Sequence, residues 1–219
     1  MTFMHYVILF FIYSFLGWIV EVIDILIKQK KLSNRGFLIG PYLPIYGSGC
    51  LLIIIFLKNQ TSDLIGLFLK AMIICSLLEY FTSYIMEKIF KTRWWDYSDR
   101  SYNINGRICL LNMLCFGMLG CLLMYIINPI LTNILLNINI KLINILGIIV
   151  IIIFVIDFIV SFKIIFNIRK VVTNVAKDST DEITKRVKQI LNNSKIYKRI
   201  IKAFPKFSIS KIFKINKKY

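Results

Sequence analysis

The sequence contains few of the residues from which a metal site or a nucleotide site is built. It has one histidine, His5, and five cysteines that form no Cys-x-x-Cys pair, so neither a zinc site nor a disulfide framework is predicted. A Gly-x-x-x-x-Gly-Lys-Ser/Thr loop is missing, which excludes a P-loop ATPase within this sequence. His-Glu-x-x-His and Gly-x-Ser-x-Gly are missing too. We therefore expect no metal, no cofactor and no recognised catalytic nucleophile.

Acidic residues are also scarce. The chain of 219 residues has 11 Asp and Glu against 28 Lys and Arg, a formal net charge of +17. Hydrophobic residues make up 58% and the mean hydropathy is +0.71, whereas a soluble domain has about 45–50% apolar residues. A basic excess is typical of proteins that bind nucleic acid or an anionic membrane. The hydropathy favours the membrane, so we expect a lipid bilayer as partner and no nucleic acid.

Apolar stretches dominate the first three quarters of the chain. About 20 apolar residues suffice for a helix to cross a bilayer. Five spans are predicted: Tyr6–Ile27, Ile45–Leu57, Leu64–Phe90, Ile108–Ile127 and Leu142–Phe166. The second is short unless it is extended back through two prolines. The prediction is an all-α, polytopic transmembrane helix bundle over residues 1–166, followed by a basic tail over residues 167–219.

The positive charges predict an orientation. Lys and Arg crowd the connections after spans one and three and the whole tail, and such residues mark cytoplasmic loops. The N-terminus is therefore predicted outside and the tail inside the plasma membrane. In the tail, Ile183, Val187 and Leu191 recur at helical spacing among basic residues. A basic amphipathic helix of this kind is predicted to bind anionic lipid.

Several polar residues lie inside the spans. A charge at the bilayer centre costs about 2.5–3.5 kcal/mol, so Glu21 and Glu79 are expected to face the bundle interior. Asp157 is expected to pair with Lys163 by snorkelling. Helical spacing places further candidates for a substrate pathway or polar cleft on the same faces: Trp18, Tyr80, Thr82, Ser83 and Glu87. Hydrogen bonds that only hold the helices together would explain these faces equally well.

The two predicted inner loops are rich in glycine, proline, tryptophan and asparagine. The first contains Asn34, Arg35, Gly36, Gly40, Pro41, Pro44, Tyr46 and Gly47. The second contains Trp94, Trp95, Asp96, Tyr97, Asn105, Gly106 and Arg107, the last three opening the next helix. Such glycines and prolines break a helix and free backbone amides, which would favour an anion or a re-entrant segment. Similar motifs in both loops also suggest a parallel duplication of two hairpins.

These ordered motifs resemble a family of small bacterial polytopic membrane proteins classed as ABC-transporter permeases, type IV and CmpB-like. The resemblance covers roughly Tyr6 to Phe166. It is carried by Tyr13-Ser14-Phe15-Leu16-Gly17-Trp18 with Glu21, by Asn34-Arg35-Gly36-Phe37-Leu38, by Leu78-Glu79-Tyr80, by Trp94-Trp95-Asp96-Tyr97-Ser98 and by Asn105-Gly106-Arg107-Ile108. It implies a transport-related membrane protein that works with a separate ATPase subunit.

Three functions are consistent with the sequence. The first is a permease subunit without its own ATPase. The second is a membrane enzyme for a lipid or lipid-linked substrate at the inner leaflet, with Glu79, Asp96 and Arg107 as acid, base and anion clamp. The third is a non-catalytic assembly or regulatory protein that docks a partner on its inner loops. A homo-oligomer is compatible with each of them.

Overall fold

Helices make up most of the structure. The computed structural model describes the backbone of residues 1–30, 34, 36–58, 62–90 and 93–177, and side chains up to residue 166 except at positions 28 and 29. In chain order the elements are α1 (Phe3–Gln29), α2 (Pro44–Leu57), α3 (Leu64–Phe90), β1 (Asn103–Ile104), β2 (Ile108–Cys109), α4 (Leu110–Leu122), a π-helical turn (Leu123–Ile127), α5 (Asn128–Leu136) and α6 (Ile140–Lys177).

Four helical stretches are long and apolar enough to cross a membrane. They have 25 to 27 residues each: Phe3–Ile27, Leu64–Phe90, Leu110–Leu136 and Ile140–Phe166. The predicted all-helical membrane character is therefore confirmed. Helix α2 has only 14 residues, fewer than the about 20 that a perpendicular span needs, so the count of five spans and the orientation stay predictions.

The fourth span differs from its predicted bounds. Helix continues beyond Ile127, the expected end, to Leu136. Pro129 lacks an amide hydrogen and would normally break a helix. Here the preceding turn widens, and the amide of Asn128 bonds the carbonyl of Leu123 five residues back. A π-bulge of this kind lets the helix pass the proline without ending.

The same span also starts later than expected, because a β-hairpin precedes it. Strands β1 and β2 are antiparallel, with Ile104 paired to Ile108. Asn105 and Gly106 have φ of 52° and 66°, and the amide of Arg107 bonds the carbonyl of Ile104 at 2.9 Å. Positive φ at both central residues is the Asn-Gly hairpin turn. The expectation that Asn105-Gly106-Arg107 opens a helix was wrong, because this turn reverses the chain first.

Small residues bring neighbouring helices into close contact. A Cβ added at Gly120 of α4 would overlap the Cβ of Ala71 on α3, and one at Gly117 would overlap the ring of Phe68. Leu67 and Ala71 are fully buried beside this contact. Because lipid supplies no hydrophobic drive between helices, such close packing holds membrane helices together.

Helix α6 packs along α1 through aromatic rings. Phe154 lies 6.2 Å from Phe10 and 5.5 Å from Phe11 between ring centroids, both edge to face. Near its N-terminal end, Gly147 faces Met4 of α1. These contacts fix the rotation of α6 and so determine which of its side chains face the bundle.

We expect Gly120→Leu to destabilise the protein by about 1–3 kcal/mol, the usual effect of overpacking. The reason is that even the Cβ of the new side chain would overlap Ala71. Thermal unfolding of the purified chain in detergent measures this. The matched control is Leu119→Met, one position away on a side chain that is 44% exposed, and it should unfold like the wild type. Equal unfolding temperatures for the two variants would contradict the close contact.

Candidate functional site

Glu21 of α1 is held by Tyr46 of α2. The tyrosine hydroxyl donates a hydrogen bond of 2.8 Å to Oε1 of Glu21. The ring of Tyr46 lies over Gly17, one helical turn before Glu21, where a Cβ would overlap it. The glycine thus creates the space that lets the tyrosine reach the carboxylate.

Glu79 of α3 has a similar partner. The hydroxyl of Tyr97, in the segment after α3, donates a hydrogen bond of 3.1 Å to Oε1 of Glu79. Glu79 is only 7% exposed, and its Oε2 has no hydrogen-bond partner in the described part of the chain. Asn112 of α4 lies beside it. Burial, and then the neighbouring Glu79, raise the pKa of Tyr97 well above its usual range, so this phenol stays protonated and donates.

The two carboxylates belong to one cluster. Glu21 and Glu79 interact electrostatically, and Glu79 and Tyr97 also act on Tyr46. We call these four residues and Asn112 the polar centre. The sequence prediction that both glutamates face the bundle interior fits this arrangement, although they come from helices more than fifty residues apart.

An ion network lies one to two turns beyond Glu79 along α3. Arg107 donates to Oε2 of Glu87 at 2.7 Å and to Ser83 at 3.3 Å. Its side chain is 11% exposed, and its guanidinium lies over the rings of Tyr80 and Tyr84 at 5.8 and 5.4 Å. The polar face predicted on α3 is therefore covered by one arginine from the β-hairpin.

Arg93 and Asp96 complete the ion network formed by Glu87 and Arg107. Arg93 donates to Glu87 at 3.1 Å and pairs with Asp96 at 3.5 Å. Asp96 also accepts from the hydroxyl and amide of Ser98 at 2.6 and 3.1 Å. These groups are one-fifth to one-third exposed, so the network is only partly shielded from solvent.

The segment before the hairpin is bonded to the hairpin turn. The amide of Tyr97 bonds the carbonyl of Gly106 at 2.8 Å, and Trp95 Nε1 donates to the carbonyl of Arg107 at 3.1 Å. Asn105 donates to the hydroxyl of Tyr80 at 2.9 Å. A side chain at Gly106 would overlap Ser98 and approach Asp96. The residues of the second predicted inner loop are thus brought together around one turn.

Asn34 organises the first predicted inner loop. Its Oδ1 accepts from Trp18 Nε1 at 2.8 Å and from the amide of Gly36 at 3.0 Å, while its Nδ2 donates to the carbonyl of Ile39 at 3.1 Å. The loop is therefore tied to α1 through Trp18. Arg35, which the sequence places between these residues, lies outside the described residues.

Asp157 of α6 binds the same loop, and the sequence did not predict this. It accepts from the amides of Ile39 at 3.0 Å and Gly40 at 2.8 Å and from the hydroxyls of Tyr42 and Ser161. The loop amides expected to favour an anion thus bind the protein's own carboxylate. The expected pairing of Asp157 with Lys163 was wrong for the same reason, since four donors already surround this carboxylate. An aspartate within an apolar span was the only available signal.

Other predicted site residues have packing positions. Trp94 is buried between Phe37 and Phe90, with centroid distances of 5.4 and 5.6 Å. Gly47 lies so close to α1 that a Cβ would overlap Ser14. Pro44 is the first residue of α2, where proline is favoured. The remaining ones differ in exposure: Thr82 is half-buried and Pro41 is exposed.

Long apolar helices around buried carboxylates define a multi-pass membrane protein. Residues 8–162 match the family described as "Putative ABC-transporter type IV". Because this match covers well over half of the chain, the chain belongs to that family, as its motifs indicated, and is a transport-related membrane protein. No curated protein and no solved structure matches the chain.

We expect Asp157→Asn to loosen the first inner loop, because an amide has one acceptor oxygen where the carboxylate has two. Losing a hydrogen bond to a charged group costs about 1.5–3 kcal/mol, so hydrogen exchange over residues 36–43 should become roughly tenfold faster or more. Ser161→Ala removes one hydroxyl but leaves both loop amides bonded, and should have a smaller effect. Unchanged exchange in Asp157→Asn would show that the loop is held by other contacts.

Proposed function

We propose that the chain is the permease subunit of a plasma-membrane transporter and that the polar centre lines its substrate pathway. The observation that carries this proposal is the convergence of Glu21 and Glu79, from two separate helices, on one cluster in which Glu79 is buried and the other residues are half-buried. Intramembrane carboxylates are costly, and where they occur they commonly mark a pathway for a substrate or an ion. The cluster joins the α1–α2 half of the bundle to the half that begins with α3. A movement of one half relative to the other would therefore change the access of a substrate to the cluster.

The ion network suits the inner mouth of such a pathway. It lies toward the C-terminal end of α3, which the distribution of Lys and Arg predicts to be cytoplasmic. Arg107 and Arg93 balance Glu87 and Asp96. A substrate leaving the polar centre on this side would meet paired charges rather than bare apolar surface.

A separate ATPase subunit is the partner we propose for the β-hairpin. The sequence has no P-loop, while the family is described as an ABC transporter. On the hairpin, Tyr102 is 81% exposed and Ile104 is 51% exposed. Exposed apolar and aromatic side chains beside charged ones are typical of protein interfaces. The tail over residues 167–219 would add contact with anionic lipid.

The lipid-enzyme alternative receives no support from the geometry. Arg107, its anion clamp, already binds Glu87, and Asp96, its base, already binds Ser98. Glu79 accepts from Tyr97 within the bundle.

The test is to purify the tagged full chain in detergent with any nucleotide-hydrolysing partner and to reconstitute the complex in vesicles. We expect Glu79→Gln to change ATP turnover several-fold while the partner still co-purifies, because the substitution alters the pathway and not the docking surface. Asp63→Asn, at the exposed N-terminal end of α3, is the matched control and should hydrolyse ATP like the wild type.

Docking is tested separately with Tyr102→Ala combined with Ile104→Ala. We expect this double variant to recover less ATPase at an unchanged yield of membrane subunit. Failure of the wild type to recover any ATP-hydrolysing partner would contradict the permease proposal. Loss of function on deleting the tail, with Glu79→Gln fully active, would favour the assembly protein instead.

A further inference from the structure

One carboxylate oxygen in the polar centre lacks a partner although it is buried. Glu79 is 7% exposed, and Oε2 has no hydrogen bond in the described part of the chain. The partner of Oε1 is a neutral phenol, Tyr97. A hydroxyl does not cancel a negative charge, and an ionised carboxylate in apolar surroundings costs several kcal/mol unless it is neutralised.

The groups facing Glu79 come from every element packed around it. These are Glu21 of α1, Tyr46 of α2, Cys75 on α3 itself, Tyr97 before the hairpin and Asn112 of α4. Among the residues that the structure describes, no basic side chain forms an ion pair with Glu79. The guanidinium of Arg107, which reaches α3 from the β-hairpin, is bound to Ser83 and Glu87.

A second carboxylate increases the cost of charge at Glu79. Glu21 interacts with it electrostatically, and two adjacent carboxylates resist being ionised together. The species that relieves this is a cation small enough to reach an oxygen that solvent barely reaches. A proton meets that requirement with no displacement of the surrounding side chains.

We propose that the polar centre is a proton-binding site, with the proton carried by Oε2 of Glu79. A protonated Oε2 can donate to a neighbouring acceptor, such as the amide oxygen of Asn112, and so becomes a satisfied group. The proton is released when Glu79 ionises, and Tyr97 remains as the donor to Oε1 of the carboxylate. This proposal concerns the same residues as the permease function but does not depend on an ATPase.

The experiment uses dicyclohexylcarbodiimide, an apolar reagent that adds to protonated carboxyl groups. The purified full chain is reacted in lipid vesicles across a range from mildly acidic to mildly alkaline pH, and peptides are analysed by mass spectrometry. We expect an adduct on Glu79 that declines as pH rises and is absent in Glu79→Gln. Asp63→Asn is the matched control, because Asp63 lies at the exposed N-terminal end of α3, and it should leave the Glu79 adduct unchanged.

Tyr97→Phe adds a finer test, since it removes one hydroxyl and keeps the ring. Tyr97 stabilises the ionised form by donating to it, so its loss should extend the labelling of Glu79 to higher pH. A purely structural role for the tyrosine would change protein yield without moving this pH profile.

Two results would overturn the proposal. The first is the absence of two signals together: the adduct on Glu79, and an infrared carbonyl band of a protonated carboxyl group that disappears in Glu79→Gln. The infrared band is included because it does not require the reagent to reach Glu79. The other is protection of Glu79 from the reagent by sodium chloride but not by choline chloride at fixed pH, which would assign the site to a metal cation. Neither result bears on whether an ATPase co-purifies, so failure of this proposal and failure of the permease function are distinguishable.

Discussion

Polar groups within an apolar bundle must find their partners inside the protein, and that constraint explains most of what is unusual in this structure. Backbone amides outside a helix are tolerated at membrane depth only where protein or water covers them. The glycine- and proline-rich segment before α2 exposes such amides, and Asp157 binds two of them, those of Ile39 and Gly40. The carboxylate and the amides each remove the other's desolvation cost. Asp157 therefore fixes the loop against α6.

The two halves of the bundle, α1 with α2 and α3 with the segment that follows it, hold their glutamates in similar but not identical ways. In each half a tyrosine hydroxyl donates to a glutamate of the preceding long helix, Tyr46 to Glu21 and Tyr97 to Glu79. The tyrosines differ in setting, because Tyr46 lies in α2 whereas Tyr97 lies outside any helix. The shared chemistry agrees with a duplication, while the different settings leave that duplication a prediction. Phenol donors hold a carboxylate without cancelling its charge, so they leave it free to exchange a proton.

Hydropathy and motif order were sufficient to predict the helical membrane character, the family and the buried position of Glu79, whereas Glu21 is half-buried. These features depend on local pattern, which a sequence carries directly. The partners of the acids could not be predicted, because they depend on tertiary packing and, for Asp157, on how α6 is rotated. Asp157 illustrates this: its nearest cation in sequence is Lys163, yet the packing of Phe154 against α1 turns the carboxylate toward Gly40. The hairpin was missed for another reason: Asn-Gly is a strong turn signal, but it was outweighed by the apolar run that follows.

The hairpin also connects the surface to the polar centre by a short series of bonds. Exposed Tyr102 sits beside β1, and the turn that follows offers the carbonyl of Gly106 to the amide of Tyr97. The hydroxyl of Tyr97 in turn donates to Glu79. Since Arg107 fixes the turn to α3 through Glu87, the hairpin can shift appreciably only if that ion pair breaks or α3 moves with it. A partner bound at Tyr102 would therefore contact the same hairpin whose turn holds Tyr97 against Glu79.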